Sequence, residues 1–349
     1  MSDLRTATPA RLSSHPKQPD SPHRSIRGLW IAATAVTFGL VTIGGLVRAT
    51  GSGEGCSGWP KCSPGHWLPP LQYHPIVEYS HRMTAFADIV LVGILAIVAT
   101  RRYRREPRVL RTAWVAVGLI VAQAVLGGIV VKGDLSALLV TAHFGTAMIL
   151  VAVLVYGTVA AFALDVERRL SVDGFTVLAR VVAGAMFALM AVGTYVRGIG
   201  AGLVFRDWPL MNGRLVPRFA SEQAVVHFTH RVLAGAVACA VVGLAVWAWR
   251  ERHRRPAAAE LALISVVLFA VQILVGAANV WSHLAPAAVV SHVAVAGLVW
   301  GALSATAFAA RLPGPSSRPA ADPGPVEAPA DPRSLSSRRA SRNDGGVAS

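Results

Sequence analysis

The feature that most constrains this chain is a series of apolar runs, each long enough to cross a bilayer. About 20 mainly apolar residues span a hydrocarbon core. Eight segments qualify: Leu29–Val47, Ile76–Thr100, Thr112–Val131, Ala137–Leu164, Val177–Val196, Ala224–Trp249, Leu261–Trp281 and Ala287–Ala310. Charged residues make up only 15% of the chain and sit in clumps between these runs, whereas soluble domains carry about a quarter. The predicted fold is an all-α polytopic membrane protein of eight transmembrane helices, with lipid as its solvent.

A net charge of +15 invites a nucleic-acid partner, but its distribution argues against one. Arginines crowd into alternate loops. Arg101, Arg102, Arg104, Arg105, Arg108 and Arg111 follow the second span, Arg168 and Arg169 the fourth, and Arg250, Arg252, Arg254 and Arg255 the sixth. The N-terminal leader adds Arg5, Arg11, Lys17, Arg24 and Arg27. The two shortest opposite loops hold Lys132 and, over Ser282–Pro286, no base at all. The positive-inside rule then places both termini in the cytoplasm of a cell whose plasma membrane the chain crosses. Residues 1–25 are polar and lack the apolar stretch and cleavage site of a signal peptide, so they read as a disordered leader. Residues 312–349, rich in Pro, Ala, Ser and Arg, read as a solvated tail.

The chain reads as a tandem repeat. VTIGGLVRATGSG (Val41–Gly53) aligns with MAVGTYVRGIGAG (Met190–Gly202), which matches Arg48 to Arg197 at an offset of 149. The same offset pairs Trp59-Pro60 with Trp208-Pro209, EYSHR (Glu78–Arg82) with HFTHR (His227–Arg231), Gln123 with Gln272, Gly127 with Gly276, and His143 with His292. Two four-helix halves follow, 26–167 and 168–311. Each has an even number of spans, so the copies share one orientation and are predicted to be related by an axis along the membrane normal, a parallel repeat.

The histidines carry the chemistry. His81 and His143 are 62 residues apart, and so are His230 and His292. Each lies several residues into an even-numbered span, counted from the outer end, so all four share one depth in the outer leaflet. Two imidazoles facing each other across a helix bundle suit the axial positions of a heme iron, whose other four ligands come from the porphyrin. A closed zinc site would need four ligands. The plainer alternative is a histidine that hydrogen-bonds a neighbouring helix, which four matched residues at one depth disfavour. Arg82 and Arg231, each next to a histidine, could pair with heme propionates or simply reach for the interface.

The halves also differ. Glu78 lies three residues before His81 and shares its helix face, while its counterpart is His227. A carboxylate there could take up a proton or stabilise a cationic intermediate, or pair with Arg48 or Arg82. The second half then reads as an electron-transfer copy. Cys56 and Cys62 in GCSGWPKC face the oxidising side, where a disulfide persists; Phe205 and Met211 replace them. A redox role and a plain loop staple both remain open. Asp88 has no acidic counterpart and is a weaker candidate for a proton path. The glycines at Gly51–Gly53 and Gly200–Gly202 are expected to allow sharp turns, Cys239 to pack, and the remaining histidines to be solvated or interfacial.

Together, GGLVRATGSG with WPKC, EYSHR, TAHFGTA, HFTHR and VSHVAVAG resemble the heme A synthase family over residues 29–310. The resemblance implies oxidation of the C8 methyl group of heme O to a formyl group, giving the heme A of aa3-type cytochrome oxidases. It implies that His81 and His143 flank the substrate heme, that His230 and His292 ligate a heme b cofactor, that Glu78 is the catalytic carboxylate, and that Cys56 and Cys62 are the outer-loop pair. Heme O synthase, a protoheme farnesyltransferase, is the partner it implies; the electron partner and any homo-oligomer stay open. Three other readings compete with this one. A di-heme membrane cytochrome would stack hemes near both faces. A parallel-repeat transporter would need broken helices at the midplane. An assembly factor would not need its histidines to bind heme.

Overall fold

The computed structural model describes residues 23–166 and 169–314. The leader up to residue 22, with His15, and the tail from residue 315 lie outside the described residues, as does Arg168. Eight helices carry the fold: α1 Arg24–Ala49, α2 Tyr73–Arg102, α3 Pro107–Lys132, α4 Ala137–Phe162, α5 Gly174–Gly198, α6 Glu222–Arg250, α7 Pro256–Trp281 and α8 Pro286–Ala309. All eight are long and apolar enough to cross a membrane. Several start or end outside their apolar runs. Helix α1, for example, begins at Arg24 where hydropathy places the span from Leu29, because helical hydrogen bonding continues into the interface after the apolar residues stop. Local signals set the starts. Proline occupies the first turn of α3, α7 and α8, where its missing N–H costs nothing. Ser136, Asp173 and Ser221 accept from backbone N–H groups to cap α4, α5 and α6.

Element boundaries recur at the offset seen in the sequence. Helix α2 begins at Tyr73 and α6 at Glu222; α3 runs from Pro107 to Lys132 and α7 from Pro256 to Trp281. Single helical turns follow α1 and α5 at Ser52–Glu54 and Ala201–Leu203. Each is entered through a glycine in the left-handed region, Gly51 (φ 66°) and Gly200 (φ 71°), as the sharp turns expected there require.

Within each half the four helices form a ring of neighbours, and α1, α4, α5 and α8 meet at the centre, α1 packing on α8 as α5 packs on α4. The largest apolar core joins the halves there, with Met148, Met186, Leu244 and Leu303 fully or nearly fully buried. Trp300 donates its indole N–H to the Met148 carbonyl at 2.8 Å, tying α8 to α4. The outer faces are apolar too: Phe86, Val181, Val267 and Leu274 are each at least 60% exposed. In water such a surface would aggregate; in a bilayer it is solvated by acyl chains. Cys239, expected to pack, is on this exposed face instead, because its helix turns the position away from the bundle.

The loops α1–α2, α3–α4, α5–α6 and α7–α8 gather at one end, here the loop side. The arginine-rich connections form the opposite, basic side. There Arg255 is fully buried, paired with Asp173 at 2.5 Å and Glu251 at 3.2 Å, and it donates to the Ala310 carbonyl at 2.9 Å. This knot holds the start of α5, the α6–α7 turn and the chain after α8. The Arg255 guanidinium bonded to Asp173 holds that carboxyl well below the usual carboxylate range. A depressed folded-state pKa means the contribution is complete above the ordinary carboxylate pKa and is lost on acidification below about pH 4. Asp173→Ala also removes the α5 cap and leaves Arg255 short of its closest partner. It is expected to destabilise the protein by about 2–3 kcal/mol, less than for a fully buried pair because Asp173 is partly exposed. Thermal unfolding in detergent at pH 7 checks this.

Candidate functional site

The four histidines sit at matched distances from the loop side. His81 and His230 are the ninth residues of α2 and α6; His143 and His292 are the seventh residues of α4 and α8. At 1.5 Å per residue they lie about 9–12 Å from their helix starts. His143 lies within electrostatic reach of His81, and His230 within reach of His292. The structure therefore brings each sequence-matched pair together inside its own half.

Each imidazole rests against a glycine of the preceding odd-numbered helix. A Cβ added to Gly44 would come within 3.1 Å of His81 Cε1, and one on Gly193 within 2.8 Å of His230 Cε1. Gly127 and Gly276 face His143 and His292 at 3.5 and 3.3 Å. Close approach of the helices is what fixes the rings in place. The Leu40 and Leu189 carbonyls lie beside the His81 and His230 rings, yet the buried Nδ1 atoms of His81, His143 and His230 have no well-aligned hydrogen-bond partner. Gln123 and Gln272 donate to the backbone carbonyls of His143 and His292, at 2.9 and 3.1 Å, which links α3 to α4 and α7 to α8 at the depth of the rings. Among the described residues, no three of His, Cys, Asp and Glu converge on one point. The donor set of each half is a pair of imidazoles, which fits an iron already held by a porphyrin.

On the loop side of His81, the Glu78 carboxylate is 4% exposed. It pairs with Arg82 and accepts the Cys56 N–H at 2.8 Å. Of the partners weighed from the sequence, Arg82 is the one it meets. Cys56 and Cys62 form a disulfide with both residues buried, so the carboxylate is bound to a covalently closed loop. The second half replaces each part. Phe205 and Met211 pack with Ala224 in a small apolar cluster. His227 stands where Glu78 does and accepts from Arg231 Nε at 3.1 Å.

Arg82 and Arg231 have the same task in both halves. Arg82 donates to the Gly58 carbonyl at 2.8 Å; Arg231 donates to the Leu210 and Asp207 carbonyls at 2.8 and 3.1 Å. Both guanidiniums clamp the loop that follows the first helix of their half. The four glycines behind the rings and this clamp were not apparent from the sequence. Gly127 and Gly276 do align at the repeat offset, and Gly44 and Gly193 fall in the aligned segments, but alignment does not say which side chain a glycine meets.

Asp88, two turns deeper on α2, is fully buried against α1, its Oδ2 2.7 Å from the Thr37 hydroxyl and its Oδ1 without a partner. It contacts none of the four histidines through a hydrogen bond. A separate open cavity of about 650 Å³ in the first loop is lined by Glu54, Cys62, His66, Trp67 and Leu68 among others; none of the four histidines borders it. His74 bonds Ser52 at 3.0 Å, and His23, expected to be solvated or interfacial, lies half-buried at the start of α1 beside Tyr103 and Asp165.

A family model described as cytochrome oxidase assembly protein, COX15-CtaA, matches residues 27–304. The chain is 31% identical over 298 residues to a protein named heme A synthase from Symbiobacterium thermophilum, an alignment covering 80% of this chain and 94% of the relative. It is 33% identical over 270 residues to a protein of the same name from Halalkalibacterium halodurans, covering 73% and 86%.

Proposed function

This chain belongs to the COX15-CtaA family of cytochrome oxidase assembly proteins, and from that membership we propose that it is a heme A synthase, an oxidoreductase converting heme O to heme A. The observation that carries the reading within this chain is the pair of imidazoles inside each half, each backed by a glycine. Oxidising the C8 methyl group to a formyl group withdraws electrons and protons from an apolar, membrane-dissolved substrate. The first half, His81 with His143, takes the substrate heme. The second, His230 with His292, takes a heme b, which when bound supplies a one-electron relay beside the first site.

Glu78 is the residue that separates the halves chemically. Arg82 and the Cys56 N–H hold its carboxylate one helical turn from His81, oriented to accept a proton released from the substrate. His227, bonded to Arg231 in the same place, gives the second half no carboxylate. The Cys56–Cys62 disulfide acts here as the closure that fixes the Cys56 donor. The loop side faces the cell exterior and both termini the cytoplasm, as the arginine distribution supports. We read the two halves as one unit used twice about an axis along the membrane normal, an arrangement that the recurring helix boundaries support. A heme O synthase is the proposed supplier of substrate.

The test is direct. Protein purified in detergent from cells that make heme O is extracted, and the released hemes are identified by chromatography with mass detection. Heme A or its hydroxylated precursor is the expected result. Heme b alone, from cells shown to contain heme O, would overturn the synthase reading in favour of an electron carrier.

A further inference from the structure

Among the described residues, two arginines on the loop side have no partner that explains them. Arg48 and Arg197 lie in the last turns of α1 and α5, the first helix of each half. Basic residues are common at helix C-termini, where they interact with the dipole from solvent. These two differ. Both side chains are partly enclosed, and both Nε atoms are buried without a hydrogen bond. Each guanidinium lies within electrostatic reach of the other across the meeting of the halves. Among the described residues, no carboxylate lies within ion-pair distance of either, and Glu78, the carboxylate considered as a partner for Arg48, is paired with Arg82. Like charges held together in partly desolvated surroundings are costly unless an anion joins them.

Their position says which anion. Gly44 and Arg48 are four residues apart, as are Gly193 and Arg197, so each pair shares one helix face. Gly44 and Gly193 are the residues against which the His81 and His230 rings pack. Each arginine therefore stands one turn nearer the loop side than an imidazole, on the face turned toward it. A porphyrin held between two imidazoles carries carboxylates on one edge. Arg82 and Arg231, the sequence candidates for that edge, are engaged by loop carbonyls. We propose that Arg48 and Arg197 are the carboxylate-binding residues of the two heme sites, one in each half, receiving the porphyrin propionates through charge-assisted hydrogen bonds. The inference rests on the heme-binding reading above and adds the residues that orient the porphyrin edge.

The same chemistry could serve the acidic headgroup of a phospholipid, so the test separates the two sources. Full-length protein carrying His81→Ala and His143→Ala retains one heme site and is titrated, heme-free in detergent, with protoheme and with its dimethyl ester. The ester is expected to bind about tenfold to a hundredfold more weakly, the range for a lost charge-assisted bond. Adding Arg197→Ala should weaken protoheme binding to the level of the ester and leave ester binding unchanged, with Arg197→Lys recovering part of the difference. Arg48 is tested likewise in a His230→Ala, His292→Ala background. Equal binding of acid and ester to protein with its arginines intact would overturn the inference without any mutation at the site. So would an arginine variant that weakens both forms alike. Loss of co-purifying anionic phospholipid from the arginine variants, with heme discrimination unchanged, would assign the pair to lipid and overturn it too. If neither heme form binds, the functional reading fails and this inference fails with it.

Discussion

Replacing His230 or His292 with alanine should empty the second half of heme b while leaving the helices intact. The bound-heme ratio of the purified protein, read from its pyridine hemochrome spectrum, measures this. Loss of an outer-shell partner costs metal sites about 10–100-fold in affinity, so loss of an axial ligand should exceed that. The structure adds a graded companion. A Cβ on Gly193 would meet His230 Cε1 at 2.8 Å, a separation that forces the ring to move. Gly193→Val should therefore lower heme b content by about tenfold with His230 still present, and broaden or shift the low-spin absorption bands. Gly276, whose added Cβ would stand 3.3 Å from His292, should be less sensitive. Full heme b in His230→Ala protein would remove the axial assignment. Full heme b in Gly193→Val protein would show that the ring can shift and still ligate.

The second large effect is expected at Glu78. Glu78→Gln keeps the size of the side chain and an oxygen for the Cys56 N–H, but it loses the charge facing Arg82. If Glu78 handles the substrate's proton, heme A formation should fall by about 10²–10⁴-fold, the usual contribution of a positioned acid or base. Heme b content should stay at the wild-type level, because the second half has His227 at this place and no carboxylate to lose. The split between the two readouts separates a catalytic role from a folding defect. A Cys56→Ser, Cys62→Ser protein should show the same split in milder form. Its loop would remain tied by Arg82, but the Cys56 donor would lose its covalent closure. If Glu78→Gln loses heme A and heme b together, Glu78 is a structural residue of the loop. If it loses neither, the proton acceptor lies elsewhere.

Much of this protein is legible before any coordinate is known, for a physical reason. A bilayer demands long apolar helices, so composition along the chain reveals the spans. Segments that recur at one offset carry matched histidines, so His81, His143, His230 and His292 stand out together. Where expectation and structure part, burial is usually the cause. Hydropathy marks the apolar part of a helix and misses the turns that continue into the interface, as at Arg24. It also cannot tell a lipid-facing cysteine from a core one, as at Cys239, because both surroundings are apolar.

The sequence by itself determined the eight helices, the order in which they cross, the pairing of histidines by offset, and the replacement of Glu78 and the two cysteines in the second half. These follow from local composition and from comparing the chain with itself. Tertiary structure decided the rest: that glycines of α1, α3, α5 and α7 back the four imidazoles, that Arg82 and Arg231 clamp loops, and that Glu78 is held by Cys56 and Arg82. Helical periodicity places a residue on a face and at a depth. It does not say which distant segment that face will meet, and each of these contacts except the Glu78–Arg82 pair joins different elements of the fold.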